Sequence, residues 1–197
     1  PLEETADALE TIYRSGKALY IGVSSYSAKK TKEMIKLLKN RGIRLFIHQP
    51  SYSLLNRWIE KDLTKTLLNN GVGCIAFSPL AQGFLSNKYL SGIPKGTRVS
   101  ENSSFNKNLI TKSNTKIIND LNSIAKKRGQ SLSQMALAWV LNNKAVTSAL
   151  IGVRTTQQLK ENIEALKNLK FSKSEITEIN KKAREGNINL WSPSSAH

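Results

Sequence analysis

Half of a (β/α)8 barrel, four parallel strands with flanking helices and a long loop after the third strand, is the α/β fold class this sequence predicts. Three observations carry that reading. Helical segments alternate with short, continuously apolar stretches, as parallel strands covered on both faces do. The chain has 197 residues, enough for one domain with a real core but short of the roughly 250 of a whole barrel. No glycine fingerprint follows an early strand, as a doubly wound nucleotide-binding domain would require.

The first helix is expected from Leu2 to Arg14, with Leu2, Ala6, Leu9 and Tyr13 on one face and Gly16 closing it. The strand "ALYIGVS", 18–24, follows. A second helix, 28–40, carries Met34, Ile35, Leu37 and Leu38 and stops near Gly42. The strand "RLFIHQ", 44–49, ends at Pro50, and a helix around 57–68 buries Trp58, Leu63 and Leu67 before Gly71. The third strand is 73–78. A polar segment from Ser91 to Ser113 has the length of a functional lid or a link. Helix 115–128 ends at Gly129, and Ser131 with Gln134 stands in capping-box spacing ahead of Met135, Leu137, Ala138, Val140 and Leu141. The strand "VTSALIGV", 146–153, leads into a helix capped by Thr155 and Gln158 that carries Leu159, Ile163 and Leu166. The last helix opens at Ser172 and Glu175 and carries Ile176, Ile179 and Ala183. No repeat beyond this alternation and no linker is evident, so residues 1–197 read as one domain.

Composition narrows the partners. A formal net charge of +16 raises nucleic acid, anionic surfaces and phosphorylated ligands as partners. Lys29, Lys30, Lys32, Lys36 and Lys39 sit on one helix, but the other lysines are spread along the chain, without aromatic interleaving and without a zinc-finger or basic-zipper pattern. Solvated helix faces are therefore favoured over a nucleic-acid footprint. No apolar run reaches the roughly 20 residues of a membrane span, and Pro1-Leu2-Glu3-Glu4 is acidic where a signal peptide is basic. One cysteine, Cys74, excludes a disulfide framework within the chain and fits a reduced, cytoplasmic setting. His48, Cys74 and the scattered carboxylates show no metal-ligand spacing.

In parallel α/β folds ligands gather at the carboxyl ends of the strands. Here those ends read Ser24-Ser25-Tyr26-Ser27, His48-Gln49-Pro50, Ser78-Pro79-Leu80 and Gly152-Val153-Arg154. At the fourth, Arg154 stands beside a helix N-terminus, which suits a phosphate. A plain strand-to-helix turn with Arg154 merely exposed accounts for the same residues, and both readings stand on pattern alone.

Taken together, "GKALYIGVSSYS", "HQPSYSLLNRWIE", "GCIAFSPLAQGFLSNKYLSGIPKGTR", "LSQMALAWVL" and "ALIGVRTTQQLKENIEAL" resemble the aldo-keto reductases, in order and over essentially the whole chain. The nearest likeness is to the subgroup of bacterial glyceraldehyde-3-phosphate-reducing enzymes and potassium-channel beta subunits. The resemblance implies a (β/α)8 TIM barrel of which this chain is the C-terminal half, an NADPH cofactor laid across the strand ends, and a small-molecule carbonyl substrate. It implies that Ser24 and Gln49 hold the nicotinamide carboxamide, and that Phe77 stacks on the nicotinamide ring. Ser25 stands where family members often have Asn or Arg. Ser78, Leu80, Ala81 and Gln82 would line the pyrophosphate, with Lys88 and Arg98 reaching its phosphates. Gly152, Arg154, Gln158, Glu161 and Asn162 match the group that holds the adenine and 2′-phosphate.

The same resemblance implies an absence. The family reduces carbonyls with an Asp, Tyr, Lys and His set in the first half of the barrel, the tyrosine acting as acid and the cofactor giving hydride. The opening residues of this chain resemble the segment after the family's catalytic histidine. His48 matches the family's His-Gln-Pro, which is not that histidine, and Tyr20, Tyr26, Tyr52 and Tyr89 read as core or surface residues. The expectation is therefore an oxidoreductase by family whose chain, alone, holds cofactor without turning over substrate. The alternative is a non-catalytic NADPH-binding or interaction module like a channel beta subunit. Half a barrel leaves two parallel edges and an apolar face exposed, so a homo-oligomer, or pairing with an N-terminal half, is expected.

Overall fold

The structure, a computed structural model, describes residues 1–87, 90 and 111–183. Its elements run α1 (Leu2–Arg14), β1 (Ile21–Ser24), α2 (Ala28–Asn40), β2 (Leu45–Gln49), α3 (Leu63–Asn70), β3 (Gly73–Phe77), α4 (Lys112–Lys127), α5 (Leu132–Leu141), β4 (Ser148–Leu150), α6 (Thr156–Ile163) and α7 (Lys173–Lys182). Short 3-10 turns lie at Trp58–Glu60, Ala81–Gly83 and Glu164–Asn168.

Side chains at the helix starts satisfy backbone N–H groups that have no partner inside the helix. Ser27 accepts from the Lys30 N–H, and Thr111 from Asn114. Ser131 with Gln134, and Ser172 with Glu175, form reciprocal capping boxes. Thr155 caps α6, but the Gln158 side chain accepts from the Arg154 N–H (2.9 Å), so no reciprocal box forms there. At the end of α3, Gly71 takes a left-handed φ of 60° and its N–H returns to the last helical turn.

All four strands are parallel in the order β1-β2-β3-β4. The register sorts the residues onto two faces. Ile21, Leu45, His48, Cys74 and Ala76 are buried beneath the helices, while Gly22, Ser24, Ile47, Gln49, Gly73, Ile75, Phe77, Ser148 and Leu150 are half-buried or exposed on the other face. A register irregularity pairs Ile21 with Leu45 but Gly22 with Ile47, leaving Phe46 as the extra residue. Phe46 is exposed and stacks on Tyr20 with ring centroids 4.4 Å apart. The core lies between the sheet and its helices: α2 packs on β2, α3 on β3 and α5 on β4.

Three expectations shift. The fourth strand keeps only Ser148–Leu150, because β4 has a neighbour on one side alone and β3 supplies partners only at Ile75–Phe77. The first strand starts at Ile21, where pairing with Leu45 begins. The helix expected over 57–68 is divided into a 3-10 turn and α3, with Asp62 at φ −140° between them. Its approach, 51–56, is buried throughout. There Tyr52 donates to Glu60 Oε1 (2.8 Å) and accepts from Asn143 Nδ2 (3.1 Å), while Arg57 makes two bonds to the Glu60 carboxylate (2.9 and 2.8 Å). That network ties the end of β2 to the segment after α5. A second tie centres on Arg128, whose side chain is 2% exposed. It pairs with Glu175, donates to the carbonyls of Asn168 and Lys170, and lies 3.7 Å from the Phe171 ring centroid. Of the polar segment expected at 91–113, residues 112 and 113 belong to α4 and most of the rest lie outside the described residues.

Candidate cofactor cleft

The carboxyl ends of β3 and β4 open into a cleft of about 770 Å³. One wall is the loop after β3. In it Ser78, Ala81 and Gln82 all have positive φ, 52°, 47° and 58°, followed by Gly83 at 96°. Each such non-glycine residue costs roughly 1–2 kcal/mol, so the rest of the loop must hold it in place. Pro79, Phe84 and Leu85 do so by burial. The backbone bonds Ala81 N–H to Ser78 O (2.9 Å), Gly83 N–H to Leu80 O (2.9 Å) and Leu85 N–H to Leu80 O (3.1 Å) close the turn.

The opposite wall is the end of β4 and the helix that follows it. Gly152, Arg154, Gln158, Glu161 and Asn162 line it, and no side chain of α6 is buried. The apolar residues expected on this stretch, Leu159, Ile163 and Leu166, are 39%, 52% and 55% exposed. Arg154 is exposed, and its guanidinium has no carboxylate partner among the described residues. Half-buried Phe77, the N-cap Ser131 and Ser133 of α5 also line the cleft.

Of the residues singled out in the sequence, Phe77, Ser78, Leu80, Gln82, Gly152, Arg154, Gln158, Glu161 and Asn162 thus share one cleft. Ala81 is buried behind the loop and does not line it. Ser24 and Gln49 pair in register on the open face of the sheet, where Ser24 Oγ donates to the Gln49 carbonyl (2.8 Å). They connect to Phe77 through the segment after β2, since the Phe77 N–H donates to Pro50 O (2.9 Å). Lys88 and Arg98 lie outside the described residues. Ser133, Ser86 and Asn87 line the cleft but were not singled out. The Ser131–Gln134 motif marks a helix start, and nothing in it says what lies in front of that start.

The interior histidine and tyrosine are turned elsewhere. His48 pairs in register with Val23 and Cys74, on the helix-covered face. Its Nε2–H donates to Tyr26 O (3.1 Å) and its buried Nδ1 has no partner among the described residues. Burial lowers its pKa to about 4, so the ring is neutral at pH 7. Tyr52 is fully engaged by Glu60 and Asn143, and burial raises its pKa well above the ordinary phenol value. Burial pushes the Cys74 thiol up to about 12. Among the described residues no group of three or more His, Cys, Asp or Glu could hold a metal ion. No described helix is long and apolar enough to cross a membrane.

The chain is 50% identical over 200 residues to L-glyceraldehyde 3-phosphate reductase of Escherichia coli (strain K12), covering 99% of this chain and 58% of that one. It is 35% identical over 167 residues to the uncharacterized oxidoreductase YrpG of Bacillus subtilis (strain 168), covering 84% of this chain and 49% of that one. The chain therefore spans about half the length of these curated relatives. Among solved structures, a thermostable aldo-keto reductase, Tm1743, in complex with the inhibitor epalrestat superposes with a TM-score of 0.67 at 27% identity, over 92% of this chain and 54% of that one. The sequence model of the Aldo/keto reductase family matches residues 1–184, and the chain belongs to that family.

Proposed function

We propose that this chain is the C-terminal, cofactor-holding half of an NADPH-dependent aldo-keto reductase barrel. The observation that carries the reading is the shared cleft: an aromatic ring in its lining, a strained loop on one side, and before a helix on the other an arginine with no carboxylate partner among the described residues. Those donors suit the cofactor. Phe77 offers a face to a flat ring, Ser78 and the backbone of the loop suit a pyrophosphate, and Arg154 beside the α6 N-terminus suits a 2′-phosphate. Lys88 and Arg98 would add cations from beyond the described residues, and Ser24 with Gln49 would hold the carboxamide. When bound, NADPH supplies the hydride that reduces a carbonyl. The Glu161 and Asn162 side chains would take the adenine edge, and Gln158 holds Arg154 by its backbone.

Neither Tyr52 nor His48 is placed to give the proton for such a reduction. Both are buried and committed away from the cleft. The same observation favours the second reading, a non-catalytic NADPH-binding module. The open sheet face and the outer edges of β1 and β4 support assembly, with another copy or with an N-terminal half. The single buried Cys74 supports a cytoplasmic setting. Titrating NADPH into the chain by fluorescence, then adding a small aldehyde, separates the readings. Binding without turnover is the expected outcome. Turnover overturns the missing-set reading, and no binding overturns the cofactor reading itself.

A further inference from the structure

The α5 start, Ser131-Leu132-Ser133-Gln134, does more than cap a helix. Gln134 uses both ends of its amide. Its Oε1 accepts from the Ser131 N–H (2.9 Å), completing the capping box, and its Nε2 donates to the Glu161 carbonyl (2.9 Å) on α6. One residue earlier, Ser133 Oγ donates to the Leu85 carbonyl (3.3 Å), at the foot of the loop after β3. The first turn of α5 therefore bonds to both walls of the cleft. It is suited to that task because the rest of α5 is sunk in the core, with Met135, Ala136, Ala138 and Val140 at 0% exposure. Helix α6, with no buried side chain, has no comparable anchorage of its own.

The residue type matters. A glutamate satisfies a capping box as well as a glutamine does, but only the amide also has N–H groups to give to Glu161. We propose that Gln134 and Ser133 are positioning residues that hold the two walls at the separation a dinucleotide needs, acting through α6 and the β3 loop rather than on the ligand's reacting end. The inference rests on the cofactor reading above and adds to it how the span of the cleft is set.

The test compares two ligands on the chain and its variants: NADPH, which spans both walls, and adenosine 2′-monophosphate, which carries only the part assigned to α6. Gln134→Glu keeps the cap and removes the donor. It should weaken NADPH by roughly three- to tenfold, the worth of one lost hydrogen bond, while the mononucleotide stays within about twofold. Ser133→Ala, which leaves the capping box in place, should weaken NADPH by roughly two- to threefold with the mononucleotide unchanged. Equal loss for both ligands would mean a local charge or folding effect and overturns the inference. So does unchanged NADPH affinity in Ser133→Ala and in folded Gln134→Glu. Failure of the unsubstituted chain to bind NADPH overturns the cofactor reading, and this inference with it.

Discussion

Acid should weaken this fold through His48, by an amount the structure allows to be worked out. The imidazole is 0% exposed, donates through Nε2 to Tyr26 O, and has a buried Nδ1 without a partner among the described residues. Protonation would place a charge and a second donor where no described group accepts them. The folded pKa of about 4 lies below the ordinary histidine value of 6.5, so on acidification the unfolded chain takes up a proton before the folded one does. The stabilisation is thus complete above pH 6.5, falls as pH drops through the window down to about 4, and is gone below it. The whole shift is worth about 3 kcal/mol, of which about 2 kcal/mol is lost by pH 5. With a urea m-value of about 2 kcal/mol/M, the midpoint should move down by roughly 1 M between pH 7 and pH 5. His48→Gln keeps an amide donor for the Tyr26 carbonyl and cannot titrate, so its midpoint should move far less over that interval. Equal shifts in the two proteins would refute the assignment. Glu175, held below its usual range chiefly by the Ser172 N–H and also by Arg128, loses stabilising contacts only at lower pH and is common to both.

Three further outcomes follow from the packing and the cleft. A Cβ on Gly22 would lie 2.9 Å from the Ile47 carbonyl oxygen, whereas the closest atom to one on Gly73 would be the flexible tip of the Ile47 side chain at 2.8 Å, with Thr147 Oγ1 at 3.4 Å and the Phe46 carbonyl oxygen at 3.5 Å. Gly22→Ala should therefore lower the thermal midpoint by several degrees and Gly73→Ala by less, since backbone cannot step aside as a side-chain tip can. Arg128→Ala removes contacts to Glu175, Asn168, Lys170 and Phe171 together. A loss of roughly 2–4 kcal/mol in denaturant unfolding is expected, and a loss under 1 kcal/mol would show that this junction is held elsewhere. Arg154→Ala should weaken NADPH by about tenfold or more and NADH much less, because only the former carries a 2′-phosphate. Equal losses, read by fluorescence titration, would move the phosphate away from Arg154.

Much of this molecule was legible along the chain because its signals are local. Helix caps depend on residues three apart, so Ser131 with Gln134 and Ser172 with Glu175 could be read directly and recur as reciprocal hydrogen bonds. Apolar stretches ending in short polar residues marked the strand ends, and Phe77, Ser78, Arg154 and Gln158 do meet in one cleft. Strand length was less legible: β4 is three residues because its pairing depends on where β3 stops, a partner more than seventy residues away.

By itself, then, the sequence determined the alternation of helix and strand, the caps and the residue types at the strand ends, since each is set by neighbours a few bonds away. Only the tertiary structure decided that His48 lies beneath the helices, that α6 has no buried side chain, and that Gln134 reaches Glu161 twenty-seven residues on. Those depend on which face of the sheet the helices cover and how the elements pack. The chain's local periodicity does not encode that choice, and burial of apolar surface makes it.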